Sequence, residues 1–336
     1  MNKKLIIAIV LILIAAAGFG LGVYFYKNTG IADFVEKKRT ESSESNVVAS
    51  INDYNLTVDE CRVYIAALTN QIESIYGNEI WNYKLDTEGT SYEEMMKKSL
   101  LEKLIYIKLV CSMADDVGVS LDSNDTVNIN GYVADFFAGI SEDTAENYGL
   151  TTDLITEIYK DNVLARKVYD SLTLNYDVNA TTENCRQGDF IRIFIKKYRI
   201  KEDGEYIYYA GDELADVYDR AKAAREEAAA GNFADVAARY DESGQTEITL
   251  GADALTEETA SVVMGLKEGE ISEVLDTDDY YCIYYCVSSY NADATALRVQ
   301  AATAEGRDEY FRNLYDEWYA DADIRIDNDK WYELEF

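Results

Sequence analysis

The chain has 336 residues, and its 31 Lys and Arg against 63 Asp and Glu give a formal net charge of −32 at pH 7. So negative a surface repels nucleic-acid phosphates, which excludes a nucleic-acid partner. The chain has no histidine, which excludes Ser-His-Asp and Cys-His catalysis and every His-ligated metal site. It also has no proline, so its turns must be made by Gly, Asn, Asp and Ser. We expect no cofactor.

An uncharged apolar run occupies residues 5–26. About 20 apolar residues cross a hydrocarbon core of ~30 Å, so the run predicts a signal anchor over residues 1–27. A cleavable signal peptide, cut near the small residues at 15–18, is the alternative. Basic residues flank the run on both sides and do not decide its orientation. A short basic head is typical of an export signal, so we expect a single-pass membrane protein with an extracytoplasmic body.

Residues 28–46 are polar, lack apolar periodicity and predict a flexible stalk. A helical domain is then predicted over residues 47–184. It begins with a strand-turn-strand pattern, VVASINDYNLT. Capping boxes, Thr57 with Glu60 and Ser91 with Glu94, open two helices, and the second of these stops before Gly118. A third helix is predicted from Asp153 to about residue 172.

The pattern changes at Cys185, and residues 185–291 predict a small second domain. Its order is strand (FIRIFIKKYRI), helix (residues 211–230), short apolar turn (233–240), strand (EITLG), helix (257–264), turn (LKEGEIS) and strand (YYCIYYCV). This β-α-α-β-α-β order predicts a small α+β domain. The tail, residues 292–336, predicts a helix over about 295–319 and a closing strand, IRIDNDKWYELEF. The fold class is therefore α+β.

Five cysteines occur, at positions 61, 111, 185, 282 and 286. The odd number argues against a fully paired disulfide framework. Cys61 and Cys111 fall on apolar helix faces, which favours buried thiols, with one bridge between them as the alternative. Asp276, Asp278 and Asp279 predict a solvated turn, with calcium binding as the alternative.

Two motifs of the second domain resemble the parvulin family of peptidyl-prolyl isomerases. They are GNFADVAARY, residues 231–240, and LKEGEIS, residues 266–272. The segment VVASIND, the helix ending before Gly118 and the helix from Asp153 are similar to the amino-terminal chaperone domain of SurA/PrsA-type foldases. In that family the carboxy-terminal tail packs back on the chaperone domain, around an inserted isomerase domain. The resemblance extends from residue 47 onward and implies a protein that binds unfolded exported polypeptides.

The resemblance also implies site positions. Its catalytic positions are Arg192 and Cys282, which stand where parvulins have histidines, and Ser243, which stands at an acidic or cysteine position. The substrate-binding positions are Leu250, Leu255, Thr259 and Met264; Thr259 replaces an aromatic ring of the proline cup. Such an isomerase holds proline in an apolar cup and lowers a barrier of ~20 kcal/mol without a covalent step.

The residues themselves leave plainer interpretations open. Arg192 also fits a solvent-facing or ion-paired strand residue, and Cys282 and Cys286 also fit core packing. From the acidity of the whole chain, an acidic residue before proline would be disfavoured in a substrate. Beside a chaperone and an isomerase, a membrane-tethered scaffold that binds one folded partner remains a third hypothesis.

Overall fold

The computed structural model describes residues 46–87 and 89–335. They form two compact units, one made of the residues up to Tyr176 together with those from Arg307, the other of Asp177–Gly306. Both units combine helices and strands. The predicted anchor, and the stalk up to residue 45, lie outside the described residues. Within the described part, no helix has the length and apolar character needed to cross a membrane.

The first unit (unit 1) contains a three-stranded antiparallel sheet. Strands β1 (Val47–Ile51) and β2 (Tyr54–Thr57) form the predicted strand-turn-strand. Asn52 takes a left-handed backbone, φ 51°, in the turn between them, a conformation that asparagine tolerates. Strand β9 (Ile324–Ile326) pairs with the other edge of β1. The end of the chain therefore returns to the beginning of the folded part.

Helices form most of unit 1. They are α1 (Val58–Tyr76), a 3-10 turn (Asn78–Asn82), α2 (Tyr92–Ser112), α3 (Ser123–Gly139), α4 (Glu142–Asn147), α5 (Thr152–Thr173) and α10 (Asn328–Tyr332). Both predicted capping boxes are confirmed: Thr57 and Glu60 cap α1, and Ser91 and Glu94 cap α2. The apolar faces of these helices pack with the sheet into one core.

Two features of unit 1 differ from the sequence predictions. Helix α3 was not predicted, because its asparagines and β-branched residues have low helix propensity; the Asp122 side chain nevertheless caps it through the Asn124 and Asp125 N–H groups. The closing strand was predicted too long. It ends at Ile326, since the Asp327 side chain accepts the Lys330 N–H and starts α10.

The second unit (unit 2) is built on a four-stranded antiparallel sheet in the order β6-β3-β8-β7. Its strands are β3 (Gln187–Lys196), β6 (Glu247–Gly251), β7 (Leu275–Asp276) and β8 (Tyr280–Ser288). A separate ribbon joins β4 (Tyr198–Ile200) to β5 (Tyr206–Tyr208). The helices are α6 (Asp212–Ala230), α7 (Phe233–Tyr240) and α8 (Glu257–Val263).

Two features of unit 2 differ from the sequence expectations. The segment FIRIFIKKYRI does not form one strand but two, β3 and β4, and the ribbon with β5 was not predicted. Residues 233–240, the second helical element of the predicted order, form the helix α7, capped by Asn232. Helix α9 (Ala292–Asp321) belongs to unit 2 up to Gly306 and to unit 1 from Arg307, whereas the domain boundaries were predicted at 184/185 and 291/292.

All five cysteines are buried and free. Cys61 and Cys111 therefore act as apolar core residues of unit 1, in agreement with the buried-thiol interpretation, and are not bridged.

Replacing Gly251 by Ala should destabilise unit 2 by about 1–3 kcal/mol, the usual range for overpacking. A Cβ at this position would lie 2.7 Å from the Arg186 carbonyl oxygen and would also meet the Gln187 amide. Amide hydrogen exchange of unit 2 measures the loss. The control is Gly131→Ala in α3, where a Cβ meets nothing within 4 Å and helix propensity should stabilise by about 0.5–1 kcal/mol. Equal effects of the two substitutions would contradict this packing.

Candidate functional site

The two central strands of unit 2 divide their side chains between two faces. Ile193 and Ile195 of β3, with Ile283 of β8, pack against α6 and α7. The alternate residues point the other way because side chains alternate along a strand. They form what we call the site face: Phe190, Arg192, Phe194, Cys282, Tyr284 and Cys286. Val263 of α8 and Leu250 of β6 pack on this face. The site positions on these strands and Leu250 are thus brought together.

Arg192 lies directly opposite Tyr284 in the β3–β8 ladder. Its Nε donates to the Gln245 carbonyl oxygen at 3.1 Å, and its guanidinium carbon is 4.3 Å from the centroid of the Phe194 ring. Within the described chain no carboxylate lies at ion-pair distance from it. Arg192 is thus a cation held on an aromatic ring, and of the interpretation as a solvent-facing or ion-paired residue only the solvent-facing part fits these contacts.

Cys282 is buried in the site face, and its Sγ is 3.8 Å from the Thr277 hydroxyl. Burial raises the pKa of the thiol to about 11, although the Thr277 hydrogen bond and the charges of Arg192 and Lys197 act in the opposite direction. Burial likewise raises the pKa of Cys286. Both side chains are neutral thiols at pH 7, and a thiol is a poor nucleophile compared with a thiolate. Core packing is their role.

Ser243 is bound into a turn. Its hydroxyl donates to the Asp241 carboxylate at 2.9 Å and can also reach the Gln245 carbonyl oxygen at 3.1 Å. The Asp241 carboxylate accepts the N–H groups of Phe194 and Gly244, each at 2.9 Å. It therefore fastens the α7–β6 loop to strand β3. The sequence analysis missed Asp241, although an Asp-x-Ser-Gly run is a turn signal.

The expected substrate-binding residues have two different environments. Leu250 is buried in the site face, and Leu255 and Met264 pack against it partly exposed. Thr259 is buried instead by the start of α8: its hydroxyl accepts from the Thr256 hydroxyl at 3.0 Å, and its N–H donates to the same oxygen. Thr259 thus stabilises the start of α8. It provides no aromatic ring for a proline cup.

Aromatic rings fill the middle of the site face. The buried Tyr284 ring meets Phe190 edge-on at 6.3 Å and Phe194 edge-on at 5.9 Å between centroids. Burial raises the pKa of the Tyr284 phenol. Arg192 faces Tyr284 in the ladder, and Cys282, Leu250 and Met264 belong to the same apolar cluster as Tyr284. The buried Tyr284 thus lies in the region where the resemblance predicts a proline cup. Edge-to-face pairs of this kind stabilise by about 0.5–1.5 kcal/mol beyond their burial.

The predicted turn at residues 276–279 is held by hydrogen bonds. Asp276 pairs with Lys197, and the Asp279 carboxylate accepts the Tyr208 hydroxyl at 2.7 Å. In the described parts of the chain no group of three or more Cys, Asp and Glu side chains is arranged to hold a metal ion. These two aspartates have protein partners, and the alternative of a calcium site is not supported by their contacts.

Unit 1 has exposed apolar side chains of its own. Ile75, Tyr76 and Tyr83, around the end of α1, are 66%, 64% and 62% exposed, and we call them the α1 patch. A small crevice of about 20 Å³ lies elsewhere in this unit, between α1 and α3, and is lined mainly by apolar groups, among them Val63, Phe136 and Leu150. The three exposed side chains of the α1 patch, close to one another in the chain, are candidates for a binding surface.

These features define a mixed helix-and-sheet protein with a packed sheet face and exposed apolar surface. No protein-family model matches the chain. The foldase protein PrsA of Caldanaerobacter subterraneus subsp. tengcongensis is 23% identical over 146 residues, a match that covers 42% of this chain and 47% of that protein. The match confirms the resemblance to SurA/PrsA-type foldases, over about half of the relative's length.

Solved structures give a weaker likeness. PrsA of Bacillus cereus, described as a peptidylprolyl isomerase, is 14% identical, covers 75% of this chain and 97% of its own, and superimposes with a TM-score of 0.40. A SurA-like chaperone of Campylobacter jejuni is 11% identical and covers 84% of this chain and 99% of its own, with a TM-score of 0.31. At these TM-scores the likeness does not establish a common fold over the whole length.

Proposed function

We propose that this chain is a foldase-type chaperone that binds unfolded exported polypeptides on the extracytoplasmic side of a membrane. The α1 patch is the observation that carries the proposal. Its side chains expose apolar area that a bound client would bury, and unfolded chains present apolar segments. The strongly negative surface keeps such a protein soluble while its apolar patch is exposed.

The apolar run at residues 5–26 supports the location. As an uncleaved anchor it would hold the folded body on a polar stalk beside the membrane. Exported chains emerge there unfolded, so location would supply part of the client selectivity. The similarity to PrsA supports the same placement.

The test is aggregation of a reduced, unfolded client with and without the full-length chain in lipid nanodiscs. Empty nanodiscs provide the blank. We expect suppression at about equimolar chain, and a loss of suppression in the variant Ile75→Ser with Tyr83→Ser, since the exposed patch contacts the client. Leu297→Ser, which alters a side chain of unit 2 that is 66% exposed, is the matched control. No suppression at several-fold excess of the unaltered chain would overturn the proposal.

We expect exchange between the cis and trans forms of a Xaa-Pro peptide to be no faster with this chain than with buffer. The buried Tyr284 ring lies in the region where the resemblance predicts the proline cup, and Thr259 contributes no ring. Exchange spectroscopy by NMR measures the rate, with a parvulin of known activity as the positive control. An acceleration that disappears in the Arg192→Ala variant would show that the isomerase function is retained.

A further inference from the structure

The ribbon of unit 2 has one face made entirely of apolar side chains. Its register pairs Tyr198 with Tyr208 and Ile200 with Tyr206, and these four residues share a face because alternate residues point the same way. Ile200, Tyr206 and Tyr208 are 52%, 56% and 54% exposed. An isolated two-stranded ribbon is only marginally stable in water. An uncovered apolar face on such an element is therefore costly unless it serves binding.

This face continues from the site face through a row of neighbouring rings in tilted and edge-on contact. Phe194 lies 5.0 Å from Tyr280, Tyr280 lies 6.0 Å from Tyr198, and Tyr198 lies 5.0 Å from Tyr206, between centroids. The phenol oxygens of Tyr198 and Tyr280 are 3.0 Å apart and share a hydrogen bond. This hydrogen bond fixes the inner rings of the row. Ile200 and Tyr206 lie at its outer end and are exposed.

The same surface has two cations, Arg192 and Lys196, in a chain whose net charge is −32. The carboxylates of Asp241 and Glu242 accept the backbone N–H groups of Phe194 and Lys196 at the edge of the strand. By strand alternation Arg192 and Lys196 lie on the same side of β3 as Phe194. In the described parts of the chain neither is ion-paired, whereas Lys197 is paired with Asp276. Unpaired cations beside aromatic rings attract carboxylates, and charge-assisted hydrogen bonds to carboxylates are the stronger kind.

We propose that this surface binds extended polypeptide segments in which an acidic side chain lies close to an aromatic one, with no requirement for proline. It consists of Arg192, Phe194, Lys196, Tyr198, Ile200 and Tyr206. The client's aromatic side chain packs against the exposed Ile200 and Tyr206 side chains, and the client's carboxylate binds the Arg192 guanidinium. This inference rests on the proposed chaperone function and names its client class. The preference for acidic segments is opposite to the one expected from the net charge of the whole chain.

The test uses fluorescence anisotropy with the full-length chain in nanodiscs and a labelled, proline-free peptide that contains Phe and Glu. Two altered peptides carry Gln for Glu or Ser for Phe. We expect each alteration to weaken binding about tenfold, close to 1.4 kcal/mol. The chain variant Ile200→Ser with Tyr206→Ser should weaken binding of the parent peptide equally. Arg192→Gln should abolish the difference between the Glu and Gln peptides.

Tyr290→Ser is the matched control, because Tyr290 is an exposed tyrosine of the same unit, outside the ribbon; we expect no effect. Equal affinity for the Glu and Gln peptides, or full binding by the ribbon variant, would overturn the inference. Dimerisation that depends on the ribbon, measured by sedimentation, would also overturn it, because a second copy of the chain would then cover this face. Aggregation suppression that persists in the ribbon variant would leave the proposed chaperone function standing while this inference fails.

Discussion

Replacing Lys108 by Met should destabilise unit 1 by about 3–5 kcal/mol, the cost of leaving buried charges without their partner. The Lys108 Nζ lies 2.6 Å from the Glu60 carboxylate and 2.6 Å from the Asp161 carboxylate, and the three side chains are only 9%, 8% and 15% exposed. The ion triad joins α1, α2 and α5. Its attraction raises the pKa of Lys108, although burial acts in the opposite direction. Without the lysine, two carboxylates would face each other in the core.

Tryptophan fluorescence during urea unfolding measures this loss in unit 1. All three tryptophans, Trp81, Trp318 and Trp331, belong to that unit. The matched control is Lys160→Met, because Lys160 forms an exposed ion pair with Glu157, and such pairs contribute about 0.2–1 kcal/mol. Adding Glu60→Gln and Asp161→Asn to Lys108→Met should recover part of the lost stability. A loss no greater than that of the control would show that the triad is not buried as described.

The free energy of unfolding of unit 1 should fall more when the pH is raised from about 7.5 to about 10 than when it is lowered into the acid range. Burial raises the pKa values of Cys61, Cys111, Tyr64 and Tyr106 above their usual range. These groups are neutral in the folded state, so their contribution is fully present below the unfolded-state values, about 8.5 for Cys and 10 for Tyr. Above those values the unfolded chain loses protons that the folded chain keeps. Each group then lowers the free energy of unfolding by about 1.4 kcal/mol per pH unit.

The measurement is the free energy of unfolding at about pH 7.5, 9 and 10, across the range where free thiols ionise. The double variant Cys61→Ala with Cys111→Ala separates the thiols from the tyrosines, because it should flatten the decline between pH 9 and 10. Carboxylates with lowered pKa, such as Glu94 and Asp122, are exposed cap residues held by backbone N–H groups, so the loss in acid should be smaller. A stability unchanged up to pH 10 would contradict the burial of these groups.

Local signals in the sequence predicted the regular elements well. The capping boxes at Thr57 and Ser91 fixed two helix starts, and VVASINDYNLT predicted the first hairpin, because caps and turns depend on neighbours in the chain. Helix α3 was missed because its local propensity is low and its stability comes from packing of Ile129, Val133 and Phe136 in the core. Tertiary packing overrides propensity in such a case.

The site could be predicted only in part, for a related reason. The family motifs placed Arg192, Cys282 and Leu250 in one region of unit 2, and the structure brings them to one face. Tyr284 was not singled out, because its position between Phe190 and Phe194 depends on the register of β3 against β8. The role of Asp241 depends likewise on a loop reaching back to β3. Such contacts join residues far apart in the chain, and no local pattern encodes them.

Binding of one client in its unfolded and folded forms tests the central claim most directly. Anisotropy of a labelled client, prepared reduced and unfolded or native, is titrated with the full-length chain in nanodiscs. We predict saturable binding of the unfolded form and at least about a hundredfold weaker binding of the native form, a difference near 2.7 kcal/mol. Absence of binding to the unfolded form would contradict the account. Equal binding of both forms would favour a scaffold for folded partners instead.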